Sequence, residues 1–412
     1  MKNSSAIYLL FASNIISGFA QGISMIAIPW YFEFEVGNSQ KFKGFYLVLT
    51  FLVLFWGLFC GTIIDRFSRK KIFIYNNLVC GLIIMSVAIF GDLYFMPDYL
   101  VLLVFGLTIF NYNIHYPNLY AFAQEISDQK DYGRINSYIE VQGQVTSMLA
   151  GAFAAILLGG KCDFNLPFEI NTWSIQEIFL MDAISYFIGL ILFLFIKYVP
   201  VSKNDIHHGS IIKRLKIGIN YLKKNKDVFY FGFLSYMLFA FTLVNIHILL
   251  PAYVARFLQG GACVYASSEF FYSIGAIIAG LIVYRFFRKY NYYISVIILM
   301  LVISISFISI TLFKSLFLFC LVNLLLGLTN AGVRILRTTY LFKKIPNNII
   351  GRATSVFSSI NIVIRMILIY ILSTTFFESG DNVRFGYALG AILLIISSIL
   401  LYRAYLSKKK SI

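Results

Sequence analysis

Apolar runs of about 20 residues recur along the whole chain, and this one feature leaves few folds open. Twelve runs can be read, at 6–33, 44–64, 72–90, 99–122, 135–158 and 178–197, then at 228–254, 270–286, 292–312, 316–336, 352–374 and 383–402. A helix rises about 1.5 Å per residue, so each run is long enough to reach across the roughly 30 Å hydrocarbon core of a bilayer. Without water in that core, a run must close its backbone hydrogen bonds within itself, as a helix. Composition agrees: 59% of the 412 residues are hydrophobic and only 13% charged, which excludes a soluble domain. The expectation is an all-α membrane protein with twelve transmembrane helices.

The net charge of +16 would by itself suit a nucleic-acid partner. The placement of the cations decides otherwise. With Met1 inside, the inner loops and tails hold 26 of the 34 Lys and Arg residues. The outer loops hold six, Lys41, Lys43, Lys161, Arg256, Lys314 and Arg384, while Arg334 and Arg365 fall within runs. Such an excess of cations marks cytoplasmic loops, so no nucleic-acid partner is expected. An even number of runs then puts both termini in the cytoplasm of a multi-pass protein of the plasma or inner membrane. Of the five cysteines, Cys60, Cys80 and Cys320 lie in apolar runs and Cys162 and Cys263 in loops, with no metal spacing. Neither a Gly-rich nucleotide loop nor a nucleophile–base pair can be identified, so no cofactor, metal or enzymatic activity is expected. The first run is too long for a cleavable signal peptide and has no small-residue cleavage site before it.

A tight, charged hairpin closes the second run: Gly61-x-x-x-Asp65-Arg66-x-x-Arg69-Lys70. Its short turn predicts an electrostatic clasp among its own charges. The pattern returns in the second half of the chain as Gly280-x-x-x-Tyr284-Arg285-x-x-Arg288-Lys289. Two further pairs keep nearly the same spacing. Gly133-Arg134-x-x-Ser137 matches Gly351-Arg352-x-x-Ser355, and Pro29 matches Pro251. Repeats this regular indicate two homologous six-helix bundles. The hairpin and its degenerate second copy resemble the loop signature of the major facilitator superfamily, which lies between helices two and three and again between eight and nine. The resemblance implies the fold of that family, with the substrate path between its two halves.

The domain reading follows: residues 1–199 form the N-terminal bundle, 200–227 a cytoplasmic linker, and 228–412 the C-terminal bundle. Within the linker, Ile211, Ile212, Leu215, Ile219 and Leu222 share one helical face and Lys213, Arg214, Lys216, Lys223 and Lys224 surround the other. This predicts a basic amphipathic helix lying on the inner leaflet.

The stretch from Asn14 through Gln21 to Pro29 and Trp30, and that from Phe179 through Asp182 to Ser185, look like the drug and siderophore exporter branch. That branch contains enterobactin exporters and macrolide efflux proteins. The fourth run has no Arg and the fifth no Gly-Pro antiporter signature, with only Gly143 and Gly151, so the coupling mechanism stays open.

Polar groups within a span are functional candidates because the bilayer penalises them. Arg365 lies 13 residues into its run, roughly 20 Å deep. It can face a cavity and an anionic substrate, or pair with Glu140. Arg334 can line the path or snorkel. Glu140 is a candidate proton carrier or a structural partner of either arginine. His115, amid Asn111, Asn113, Tyr116 and Asn118, can titrate or can join helices. Asn14, Gln21, Asn118 and Asn330 complete the candidate substrate path, while Asp182 reads as a helix-end or packing acid near the outer boundary.

The functional expectation is a secondary active exporter of a small amphipathic or anionic organic compound, of drug or siderophore type. It would work as a monomer by alternating access, driven by an ion gradient, with the proton as coupling ion. The alternative is an importer of a siderophore-type chelate or metabolite. Cys162 and Cys263, beside spans five and eight on the outer side, leave a disulfide open.

Overall fold

The computed structural model describes residues 4–128, 131–159, 171–198, 211–287 and 290–410; within these, the side chains of residues 4, 58, 61, 62, 65, 132, 133, 136, 211–215, 284, 285, 347, 348 and 408–410 lie outside the description. The chain divides into two compact units, Met1–Ile206 and His207–Ile412. The described residues of both are helical almost throughout.

The first unit contains α1 (Ser4–Trp30), α2 (Ser39–Arg66), α3 (Arg69–Leu93), α4 (Asp98–Glu125), α5 (Tyr132–Gly159) and α6 (Ile175–Phe195). The second opens with α7 (Ile211–Lys224), α8 (Lys226–Val244) and the single turn α9 (Leu250–Ala252). It continues with α10 (Ala262–Phe287), α11 (Tyr292–Leu312), α12 (Leu316–Lys344), α13 (Asn347–Leu372), the turn α14 (Thr375–Glu378) and α15 (Phe385–Lys410). Eleven helical stretches among the described residues are long and apolar enough to cross a membrane. With 28 residues, α2 has the length of the twelfth expected span.

The same helix pairs form in each unit. In the first, α6 packs on α1 and α3, α1 on α5, and α2 on α4; in the second, α15 packs on α8 and α11, α8 on α13, and α10 on α12. Aromatic rings fill the interiors. Phe73 stacks on Phe193 with centroids 4.4 Å apart, near the buried Leu10 and Phe122. In the second unit Phe231 packs against Tyr293 and Tyr340, and Phe307 against Phe241 and Tyr387.

The matched prolines have matched consequences. Proline has no N–H to donate and its ring crowds the carbonyl four residues back, so the helix must widen or bend. A π-helical segment, Tyr31–Glu35, follows Pro29, and another, Tyr253–Leu258, follows Pro251. A further π-helical segment, Asn245–Leu249, precedes the second proline.

Several helices outrun their apolar stretches, because a polar residue ends a hydrophobic run without ending a hydrogen-bonded helix. Ser174 and Glu177 form a capping box, so α6 starts at Ile175. α10 starts at Ala262, which places Glu269 two turns inside it. α12 continues to Lys344, so Arg337 is not the loop cation expected from its position after the apolar run.

The hairpin between α2 and α3 turns over Phe67 and Ser68. Its described cations reach across the unit rather than to one another. Arg69 Nη1 donates to the Ala121 carbonyl at 2.9 Å and to Glu125 Oε2 at 3.0 Å. Lys70 Nζ donates to the carbonyls of Leu194 and Ile196, at the C-terminal end of α6 where a cation is favoured. Arg66 is exposed, and the Gly61 and Asp65 side positions lie outside the description.

The basic helix α7 packs on protein as well. Gly218 is buried under the Arg352 carbonyl of α13, Leu222 is buried, and Tyr221 donates to the Lys344 carbonyl at 3.0 Å. Ile219, expected on the same apolar face, is exposed. Cys60, Cys80 and Cys320 are free thiols and Cys263 is disulfide-bonded. Cys162, with which the sequence left a bridge open, lies outside the described residues.

Candidate functional site

Small residues bring α1 and α5 into close register. A Cβ on Gly18 would touch Thr146, and one on Gly22 would collide with Ala150. Asn14 and Gln142, one turn earlier on each helix, keep the same sequence separation as these two pairs. Asn14 Nδ2 donates to Gln142 Oε1, and Gln142 Nε2 continues to Thr146 Oγ1 at 3.0 Å. From α4, His115 Nε2 lies 2.8 Å from Asn14 Oδ1. Because that oxygen can only accept, the imidazole carries its hydrogen on Nε2. Asn14 and His115 are both buried, and Phe73 packs edge-on to the ring. The result is a polar triad, Asn14–His115–Gln142, joining three spans.

The second unit has a triad at the equivalent place. Gly232 lies under the Phe357 ring, and Asn361 Nδ2 donates to the Tyr236 carbonyl at 3.3 Å. These two pairs also share one sequence separation, so α8 and α13 run in register as α1 and α5 do. Arg337 of α12 completes the group. Its guanidinium lies 3.6 Å from the Tyr236 ring centroid, and Nη1 donates to the Ser235 carbonyl at 3.1 Å. Tyr236 and Arg337 follow Asn14 and His115 at the same spacing by which Pro251 follows Pro29, and Asn361 follows Gln142 at close to it. Where the first unit holds an imidazole, the second holds a guanidinium, and Arg337 is only 4% exposed. A desolvated guanidinium on an aromatic face gains about 2 kcal/mol. Arg334, one turn back on α12 and exposed, adds a second positive charge nearby.

The remaining expected residues spread over other contacts. Gln21 is buried on α1, two turns beyond Asn14. Asn118 is buried and donates to the Arg69 carbonyl at 3.0 Å, tying α4 to the hairpin. Asn330 donates to the Tyr272 hydroxyl at 2.8 Å, and that hydroxyl lies within electrostatic reach of both Arg334 and Glu269. Arg365 is partly buried with its Nε unbonded among the described residues, and it faces His247 in the π-helical part of the α8 span. Glu140 is exposed and accepts a 2.6 Å hydrogen bond from Tyr120. Asp182 is not at a helix end: it is fully buried, two turns into α6.

Sequence reasoning therefore missed Gln142, Tyr236, Arg337, Asn361 and Glu269. The signal for two of them was present. Carrying the spacing from Pro29 to Pro251 onto Asn14 and His115 lands on Tyr236 and Arg337.

Comparison with known proteins agrees with this duplicated plan. The family model described as Major Facilitator Superfamily matches residues 10–368. Macrolide efflux protein A of Streptococcus pyogenes is 22% identical over 360 residues, covering 86% of this chain and 85% of the relative. The protein of the same description from Enterococcus faecalis is 22% identical over 307 residues, covering 73% and 90%. Among solved structures, the nucleoside transporter NupG superposes with a TM-score of 0.73 at 14% identity, covering 97% of this chain and 100% of that one. At that identity the likeness speaks to fold alone.

Proposed function

This chain belongs to the Major Facilitator Superfamily, and from that premise we propose that it exports amphipathic organic compounds of the macrolide class, driven by a proton gradient. It is a multi-pass membrane transport protein and not an enzyme. The observation that carries the reading is the pair of equivalent polar triads, one in each unit, built into apolar spans. Nothing in helix packing alone requires His115 or Arg337, and polar groups at such depth mark solute or ion paths. Efflux, as opposed to import, is supported by two relatives named for macrolide efflux that match most of the chain.

In this reading both termini are cytoplasmic, the protein acts as a monomer, and it works by alternating access. Asn14, Gln21, His115, Asn330, Arg334 and Arg365 supply hydrogen bonds along the path, with Asn118 holding α4 to the hairpin. Arg365 and Arg334 set which charged groups a substrate can carry. Glu140, exposed and held by the Tyr120 hydroxyl, stands at the exposed end of the proton path. In the hairpin, Arg69 and Lys70 stiffen the cytoplasmic ends of the unit through the Glu125 and α6 contacts.

The test is erythromycin accumulation in cells with and without the chain. Expression lowers the steady-state level, and a proton ionophore restores it. An unchanged level overturns the macrolide assignment; a raised level reverses the direction of transport.

A further inference from the structure

The carboxyl group of Asp182 has no part in either triad. Asp182 is fully buried in α6, and neither of its oxygens makes a hydrogen bond among the described residues. The helices packed on α6 are α1 and α3. From α1, Ser24 faces the carboxyl, and its own buried hydroxyl is likewise unbonded. α1 contains no Lys, Arg, His, Asp or Glu at all. From α3, Cys80 faces it. Tyr186, one turn along α6, takes a hydrogen bond from Asn111.

The charged residues of α3 lie elsewhere. A Cβ on Gly81 would touch Tyr186, and one on Gly91 would touch Gln176, so Asp182 is level with the residues between those two glycines. Arg69, Lys70 and Lys71 are several turns away at the start of α3, and the first two are bonded to Glu125 and to carbonyls. Asp92, beyond Gly91, is exposed and acidic. An ionised carboxylate in this place would have no counter-charge among the described residues and only the Ser24 hydroxyl as a donor, a state that a protein interior avoids by keeping the acid neutral.

We propose that Asp182 is the carboxyl that holds the coupling proton, an inference that rests on the proton-driven reading above. In the packed arrangement the group is the neutral acid. When α1 moves against α6 and water reaches it, the O–H bond breaks, the proton passes to water, and the Ser24 hydroxyl donates to the new carboxylate. Reprotonation from water restores the acid and allows α1 and α6 to close again. The unbonded Ser24 hydroxyl beside the acid is the feature that an ordinary packing role leaves unexplained.

Asp182→Asn keeps the shape and removes the proton. The first measurement needs no substrate: an infrared difference spectrum, wild type minus variant, in detergent at neutral pH. A protonated-carboxyl band is expected, and its absence overturns the proposal. The second uses proteoliposomes with an internal pH dye and erythromycin as the probe. Erythromycin-linked proton movement should fall at least tenfold in the variant while erythromycin binding stays measurable; wild-type proton movement overturns the proposal. If Asp182→Asn does not fold, Asp182→Glu decides, through a displaced pH midpoint of transport; an unchanged profile overturns the assignment. Wild-type protein that exchanges erythromycin without moving protons sinks the proton-driven reading itself, and this inference with it. That outcome differs from a failure confined to Asp182, in which wild type and variant both stay coupled.

Discussion

Arg337 holds a full charge inside an apolar unit by two contacts, the Tyr236 face at 3.6 Å and the Ser235 carbonyl at 3.1 Å. Removing it deletes the contact with the ring and one charge-assisted hydrogen bond, and leaves a cavity beside the ring, so Arg337→Ala should lower stability by about 3 kcal/mol. Arg337→Lys keeps the charge but cannot lie flat on the tyrosine, and should recover only part of the loss. Thermal unfolding in detergent measures both, and equal melting temperatures for wild type and Arg337→Ala would refute the role. The equivalent position in the first unit is less costly to change. His115→Ala deletes one neutral hydrogen bond to Asn14, a contact of about 0.6 to 1.7 kcal/mol between membrane helices. The contrast between these two repeat-related positions is itself the prediction.

Among helix pairs, the tightest crossing is set by glycine. A Cβ on Gly275 of α10 would strike the Leu324 carbonyl, and one on Gly327 of α12 would strike the Tyr272 carbonyl. Backbone cannot rotate aside as a side chain can, so Gly275→Ala or Gly327→Ala must push the helices apart. Each should cost about 1–3 kcal/mol, and each should strain the nearby Asn330–Tyr272 hydrogen bond. Gly143 on α5 is the control. Nothing lies within 4 Å of its Cβ direction, so Gly143→Ala should be neutral, or stabilising by up to about 1 kcal/mol from helix propensity. Folded yield and melting temperature of the three variants decide the matter; equal tolerance at all three positions would contradict the close crossing.

Across the whole molecule, duplication has preserved packing while changing chemistry. Each unit joins its helices in the same pairs, yet the first triad holds His115 where the second holds Arg337, and the hairpin acid Asp65 is replaced by Tyr284 in the second copy. Outside the spans, the disulfide state of Cys263 makes a further prediction. In denatured but unreduced protein Cys263 should resist alkylation, while Cys60, Cys80 and Cys320 react. Mass mapping before and after reduction reads this directly, and labelling of Cys263 without reductant would contradict it.

From its sequence alone the chain determined its apolar helices and its twofold plan, eleven of the twelve expected spans being long and apolar enough among the described residues. The bilayer demands about 20 apolar residues per span, and a repeat spacing survives as long as the helix order does. The chemistry at Asn14 and His115 was legible for a similar reason, since a polar residue in an apolar run is conspicuous. Arg337 and Glu269 were not, because hydropathy cannot tell a polar residue that ends a span from one that continues the helix past it. Asp182 was visible as a residue but not as a buried one. Whether a carboxyl at that position makes a hydrogen bond depends on how α1 and α3 close over α6, and only the packed structure decided that it makes none among the described residues.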